Sequence, residues 1–157
     1  MKNRKKRSKS MRVLNLWTRS DASKAVPYLR SVTGSLREHY LDVLRTQRTI
    51  DRAEHDETPN RRDRIIAKEK QNDERQRAQT KFDEALDELN HVDVFLLDPV
   101  KGTALIPFRK EDDLAWFVFD HFAPSGLIGW RHHTDPMEEC RSLEGLEEAV
   151  VNDSLAK

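Results

Sequence analysis

The feature that most constrains this chain is a long seam of regularly spaced, mainly apolar residues in its first third. The steps along this seam alternate between four and three residues, which is the spacing of one face of an α-helix. The seam consists of Ala22, Val26, Leu29, Thr33, Leu36, Tyr40, Val43, Gln47 and Ile50. We therefore predict a helix over about residues 19–55.

The start of this helix carries its own signals. Thr18 and Asp21 are spaced like a capping box, with Asp in place of the usual Glu, and Trp17 stands where a hydrophobic staple would begin. Pro27 costs about 3 kcal/mol inside a helix. We therefore expect either a kink there or a short first helix that ends near Val26.

A second helix is predicted over about residues 62–91, after a turn that contains Pro59. Its last part repeats the helical spacing of apolar residues from Ala78 to Val92, whereas Ala67 is the only apolar residue in 67–77. The two helices should form an antiparallel, coiled-coil-like hairpin. It should bury apolar surface at its root, which is the part where residues 29–43 meet residues 78–92. Its polar tip, around residues 47–77, is either a solvated end or a surface that docks on a partner.

From residue 92 the apolar spacing changes to about two, which is typical of strands. We predict strands at 94–97, 103–106, 114–119 and 127–131, the second of them ended by Pro107. The short connections between them allow only antiparallel pairing. The predicted fold class is α+β: a long helical hairpin, followed by a small three- to four-stranded antiparallel sheet over about residues 93–131 that packs on the hairpin root.

The chain has 28 basic and 28 acidic residues, but the charges are unevenly placed. Residues 1–12 contain seven basic and no acidic residues, so this leader carries +7 and the remainder −7. Three interpretations stay open: a disordered tail, a translation start at Met11, or an arm that binds an acidic partner or RNA. The candidate nucleic-acid contacts within such an arm are Lys5, Lys6 and Arg7.

These patterns divide the 157 residues into three parts. We predict a disordered basic leader over 1–12, a single α+β domain over 13–143, and an acidic tail or short helix over 144–157. No apolar run approaches the roughly 18 residues that a membrane span needs. Cys140 is the only cysteine and no secretory signal is seen, so we expect a cytoplasmic protein without a membrane partner.

Two groups of residues form recognisable short motifs: Trp17–Ala22 with Pro27 and Leu29 at the opening, and Val94, Asp98, Gly102, Pro107 and Phe108 around the first strands. They resemble the first segment and the strand-turn-strand of the domain-of-unknown-function 2203 family of bacterial proteins. Ile128-Gly129-Trp130, with Arg141 and Leu143, resembles its closing segment. The family's Trp-His pair reads Trp130-Arg131 here, so no role is carried over from that histidine. The resemblance implies an architecture and leaves the function open.

The richest cluster of metal-ligating residue types is Asp120 and His121 together with His132 and His133. If the last two strands pair, we expect these residues at neighbouring strand ends, where Asp120, His121 and His132 could hold zinc or another divalent ion. The alternative is an exposed polar strand end with ordinary histidines. An acid-base pair of Asp98 and His121 would depend on geometry alone.

Other kinds of site have less support. Cys140 has no histidine at a recognisable spacing, and no glycine-rich phosphate loop is present. The aromatic residues from Trp116 to Trp130 could line a small-ligand pocket but more often form the core of a sheet. We expect no catalysis and no cofactor. The leading hypothesis is an interaction or assembly protein that forms homodimers through its hairpin, and the alternatives are a metal- or small-ligand-binding protein and an RNA- or ribosome-associated factor.

Overall fold

A computed structural model describes residues 13–55, 60–144 and 146. It confirms the predicted order of helices followed by an antiparallel sheet. The helices are α1 (Arg19–Lys24), α2 (Val26–Glu54) and α3 (Arg61–His91). The strands are β1 (Phe95–Asp98), β2 (Thr103–Lys110), β3 (Asp113–Asp120) and β4 (Leu127–His132), and they lie in the order β1-β2-β3-β4. The predicted leader over 1–12 lies outside the described residues, as does the tail after residue 144 except Leu146.

The first predicted helix is divided in two, as Pro27 suggested. The short α1 begins at the N-cap Thr18, whose side chain accepts a hydrogen bond from the Asp21 N–H, and it ends at Lys24. Pro27 then occupies the first turn of α2, where the missing N–H costs no helical hydrogen bond. The proline therefore starts a new helix instead of kinking a continuous one.

The hairpin is formed by α2 and α3, which lie alongside each other. The rings of Tyr40 and Phe82 are 5.7 Å apart near its middle, and Arg75 donates to Gln47 Oε1 across the two helices at 3.1 Å. Residues 61–70 are all exposed, so the beginning of α3 contributes almost nothing to a core. No described helix combines the length and the apolar character needed to cross a membrane.

The core lies between the hairpin root and one face of the sheet. Leu29, Leu36 and Leu89 of the helices belong to the same buried cluster as Phe108 and Phe117 of the sheet. The rings of Phe108 and Phe117 are stacked, with their centroids 3.9 Å apart. The alternation of side chains along β2 and β3 brings these aromatic residues to one face.

The predicted end of the second strand at Pro107 is wrong, because β2 continues to Lys110. The Pro107 carbonyl accepts a hydrogen bond from Trp17 N at 2.8 Å, on the side of β2 that faces away from β3. The proline nitrogen points to that same side, and β1 pairs with β2 only as far as Leu105. The missing N–H therefore removes no ladder hydrogen bond, and the strand continues past the proline.

Candidate functional site

The candidate metal ligands do not come together. In the register of β3 and β4, Phe119 pairs with Leu127 and Ala115 pairs with His132. His132 thus lies beside the start of β3, whereas Asp120 is the last residue of β3 and His121 follows it, on the order of 15 Å away along the strand. In an antiparallel pair the end of one strand lies beside the start of the other. The expectation that the ends of β3 and β4 are neighbours was therefore wrong. Within the described residues no group of three or more His, Cys, Asp or Glu side chains could hold a metal ion.

His121 instead joins the sheet to the helical hairpin. Its ring Nδ1 lies 3.1 Å from Thr33 Oγ1, and the same hydroxyl lies 2.8 Å from the Leu29 carbonyl oxygen. The hydroxyl has one hydrogen and the carbonyl can only accept, so Thr33 donates to Leu29 and accepts from His121. This places the ring proton on Nδ1.

Two glycines make room for this histidine. A Cβ at Gly34, in the middle of α2, would lie 3.0 Å from the His121 ring. Gly102 has a φ of +68°, and its carbonyl oxygen accepts a hydrogen bond from the His121 N–H at 3.0 Å. A Cβ there would lie 2.6 Å from His121 Cβ. The histidine is therefore packed between α2 and the turn that contains Gly102.

The hypothetical acid-base pair of Asp98 and His121 has its polar groups directed elsewhere. Asp98 Oδ1 accepts hydrogen bonds from the N–H groups of Val100 and Lys101, at 2.9 and 3.0 Å. These contacts fix the turn between β1 and β2. The His121 ring proton is directed to Thr33. The Asp98 carboxylate thus holds the turn between β1 and β2, and the His121 ring contacts α2.

His132 belongs to a second polar cluster, at the other end of β3. Its backbone N–H donates to Asp135 Oδ2, and Arg141 donates from Nε and Nη2 to both oxygens of the same carboxylate, at 2.9 and 3.0 Å. The hydrogen bonds from Arg141 and from the backbone of His132 lower the pKa of Asp135 to about 2. Asp135 in turn raises the pKa of Arg141.

The same cluster is attached to Trp130, which the family resemblance had singled out with Arg141. The two residues exchange backbone hydrogen bonds, at 3.0 Å and 2.7 Å. The Arg141 guanidinium lies 5.2 Å from the Trp130 ring centroid, and Lys110 Nζ lies 4.3 Å from it. The segment after β4 is thereby fastened along the edge of that strand by two backbone hydrogen bonds and by the cation–π contact of Arg141, whose guanidinium is also paired with Asp135.

Cys140 lies directly over Gly129, where a Cβ would come within 2.2 Å of its sulfur. Burial raises the pKa of the Cys140 thiol, and the positive charge of Arg131 opposes this only in part. Nucleophilic thiols require a lowered pKa. The environment of Cys140 thus favours an inert thiol that packs on the sheet.

The aromatic residues that could have lined a ligand pocket are distributed over different surfaces. Phe117 and Phe119 are buried in the core, and Trp130 is almost fully buried beside them. Trp116 points to the opposite face of the sheet, where its ring lies against Phe95 and its Nε1–H donates to His133 Nδ1 at 3.2 Å. These residues are therefore structural.

Lys5, Lys6 and Arg7 lie outside the described residues. Among the described residues, positions 61–70 at the tip of the hairpin are all exposed. A groove of about 620 Å³ runs between the end of α2 and the start of α3, and Ile50, Ala53 and Ile65 contribute to its lining. Sequence reasoning assigned no role to Ile65 or Ile66, although two adjacent isoleucines in a polar, charged helix are a visible signal.

A second, polar cleft of about 680 Å³ lies at the root, where Asp87 and His91 of α3 contribute to its lining. The two ends of α3 therefore differ in chemistry. One end offers apolar and basic side chains, and the other offers carboxylates.

Comparisons with protein-family models, with curated proteins and with solved structures yield no match to this chain. The resemblance to the domain-of-unknown-function 2203 family stays a prediction.

Proposed function

We propose that this protein is a small, cytoplasmic, non-catalytic interaction module that self-associates through its helical hairpin. The observation that carries the proposal is apolar surface on the hairpin, far from the core. Leu44, Ile65 and Ile66 are 43%, 51% and 55% exposed on helices whose other outward residues are mostly charged or polar. Fully burying one such side chain stabilises a complex by roughly 1.5–3 kcal/mol, so covering the exposed half of each contributes about 1 kcal/mol.

The arrangement of the helices supports self-association rather than a catalytic role. Two helices cover only one side of each other, so a second pair is the usual way to cover the remaining faces. The polar clusters around His121 and Asp135 support the proposal in another way, because their side chains are engaged in holding the helix, the turn and the β4 edge together.

The test is sedimentation velocity over a wide range of protein concentration. We expect a concentration-dependent dimer for the wild-type chain. Ile65→Asp should weaken it by at least about tenfold, since a half-buried contact of about 1 kcal/mol is lost in each of the two copies. The matched control is Ile128→Asp, which removes an exposed isoleucine from the sheet and should leave dimerisation unchanged. A wild-type chain that stays monomeric at every concentration would refute the proposal.

The metal-binding and RNA-binding alternatives stay predictions. Metal analysis of protein purified without a histidine tag tests the first, and salt-sensitive RNA binding that is lost on deletion of residues 1–10 tests the second. Bound zinc at one equivalent would require ligands other than the trio of Asp120, His121 and His132, which the register of β3 and β4 separates.

A further inference from the structure

One face of α3 carries an ordered series of exposed side chains that the fold leaves uncovered. Its members follow one another by three, four or seven residues, so they fall on one face of a helix with 3.6 residues per turn. We call this face the side stripe, and it comprises Arg61, Ile65, Lys68, Asn72, Gln76, Asp83 and Asp87. All seven residues are exposed, whereas α3 contacts α2 through another face that contains Ala78 and Phe82.

The charges of α3 are separated along the helix. Residues 61–68 contain four basic residues and one acidic residue, a net charge of +3. Residues 83–91 contain four acidic residues and no Lys or Arg, a net charge of −4. Within the part of the chain that the structure describes, Arg61, Lys68, Asp83 and Asp87 form no ion pair with one another or with other residues.

This order of charges is the reverse of the one that stabilises an isolated helix. The helix dipole favours acidic residues at the N-terminal end and basic residues at the C-terminal end. In α3 only Asp63 follows that preference in the first turn, among three arginines. The stability of the single chain therefore does not account for the arrangement, whereas an opposite charge supplied from outside the chain would.

The side stripe is complementary to itself when it is reversed. The midpoint of its charged ends lies near residue 75, with Lys68 seven residues before it and Asp83 eight residues after it. Arg61 lies fourteen residues before the same point, and Asp87 lies twelve residues after it. At 1.5 Å per residue, each basic group thus lies within about 3 Å of the level of an acidic group of a reversed copy, and the inner pair lies on the order of 11 Å from the midpoint.

We propose that two copies of this chain pair antiparallel along their side stripes, so that the basic end of each α3 meets the acidic end of the other. This inference rests on the proposed self-association and adds its geometry. The pairing is two-fold symmetric, so every contact occurs twice and the amides of Asn72 and Gln76 lie near the axis. Ile65 becomes covered in the pair, whereas Ile66 lies off the stripe. A parallel arrangement would oppose like charges along the whole stripe.

The experiment measures the dimer dissociation constant of the full chain by sedimentation velocity at two salt concentrations. Between about 50 and 500 mM NaCl the Debye length falls from roughly 14 to 4 Å, so we expect the dissociation constant to rise about tenfold. Arg61→Glu/Lys68→Glu and Asp83→Lys/Asp87→Lys should each abolish the homodimer, because each variant opposes like charges. The control Arg48→Glu/Arg52→Glu makes the same charge change on exposed residues of α2 and should leave the dimer intact.

The decisive variant combines both reversals in one chain. In an antiparallel pair its ends are again opposite in charge, so the homodimer should return to within about threefold of wild type. A parallel pair would stay repulsive. Circular dichroism verifies that each variant keeps its helices, and the restored dimer itself shows that the combined variant folds.

The outcomes separate this inference from the proposal on which it rests. A wild-type dimer that ignores salt, or that survives both single-end reversals, overturns the antiparallel pairing and leaves self-association standing. A wild-type chain that is monomeric throughout overturns both. If that monomer binds a labelled RNA oligonucleotide and Arg61→Glu/Lys68→Glu removes the binding, the stripe serves a nucleic acid and not a second copy.

Discussion

Gly34→Ala is expected to change stability in opposite directions depending on whether His121 is present. In an ordinary helix interior this substitution stabilises by about 1 kcal/mol, because alanine loses less backbone entropy on folding. Here the new Cβ would lie 3.0 Å from His121 Cε1. That distance is too short for an undisturbed contact between carbon atoms, so the ring must move.

The ring has little freedom to move. Its Nδ1 is hydrogen-bonded to Thr33 at 3.1 Å, and its backbone N–H is bonded to the Gly102 carbonyl at 3.0 Å. Loss of one hydrogen bond costs about 1 kcal/mol, and a strained rotamer costs about 0.5–1.5 kcal/mol. We therefore expect Gly34→Ala to destabilise the wild-type chain by about 0.5–1.5 kcal/mol.

In a His121→Ala background the obstacle is gone, and Gly34→Ala should stabilise by about 1 kcal/mol. The coupling between the two sites is then about 2 kcal/mol. Urea unfolding, followed by tryptophan fluorescence and circular dichroism, measures all four members of the cycle. Ser31→Ala, at an exposed position of the same helix, is the control and should have one effect in both backgrounds. An equal gain of about 1 kcal/mol from Gly34→Ala with and without His121 would refute the packing of the histidine against α2.

Three further predictions concern the core, a helix cap and the Asp135 carboxylate. Leu36→Ala should destabilise by about 2–5 kcal/mol in urea unfolding because Leu36 is fully buried, whereas Leu44→Ala, at a half-exposed position, should cost less than about 1 kcal/mol. Thr18→Ala should cost about 1 kcal/mol, since the N-cap hydrogen bond of α1 is lost, and an unchanged midpoint would contradict that role. The pKa of Asp135 is lowered to about 2, so its stabilisation is complete above the ordinary pKa near 4 and is lost as the pH falls towards 2. A carboxyl titration by NMR checks this, and in Arg141→Gln the pKa of Asp135 should move back towards its ordinary value.

The helices and their order could be read from the sequence because their signals are local. The alternating steps of three and four residues and the Thr18 cap all act within a few residues of chain. Pro27 indicated where the first helix breaks for the same reason. The prediction that Pro107 ends the second strand was wrong, because whether a strand tolerates proline depends on which neighbour the proline nitrogen faces. That neighbouring segment contains Trp17, which lies 90 residues away in the chain and could not be placed from local sequence.

The candidate site was less predictable for a related reason. Asp120, His121 and His132 form a plausible ligand set by residue type, but only the register of β3 and β4 decides how far apart they lie. The side stripe on α3 was visible in the sequence, yet it gained meaning only when the structure showed which face of α3 contacts α2. A helix has several stripes with the same spacing, and only packing tells which of them is covered.

By itself, the sequence determined where the backbone is helical or extended and where charge accumulates, since periodicity, caps and composition act over one or two turns. The tertiary structure decided which ends meet. It directed the His121 ring to Thr33, fastened Arg141 to Asp135 and Trp130, and left the charged face of α3 open. Such contacts join residues that are often far apart in the chain, and the free energy that selects them comes from burial and hydrogen bonding of the whole fold.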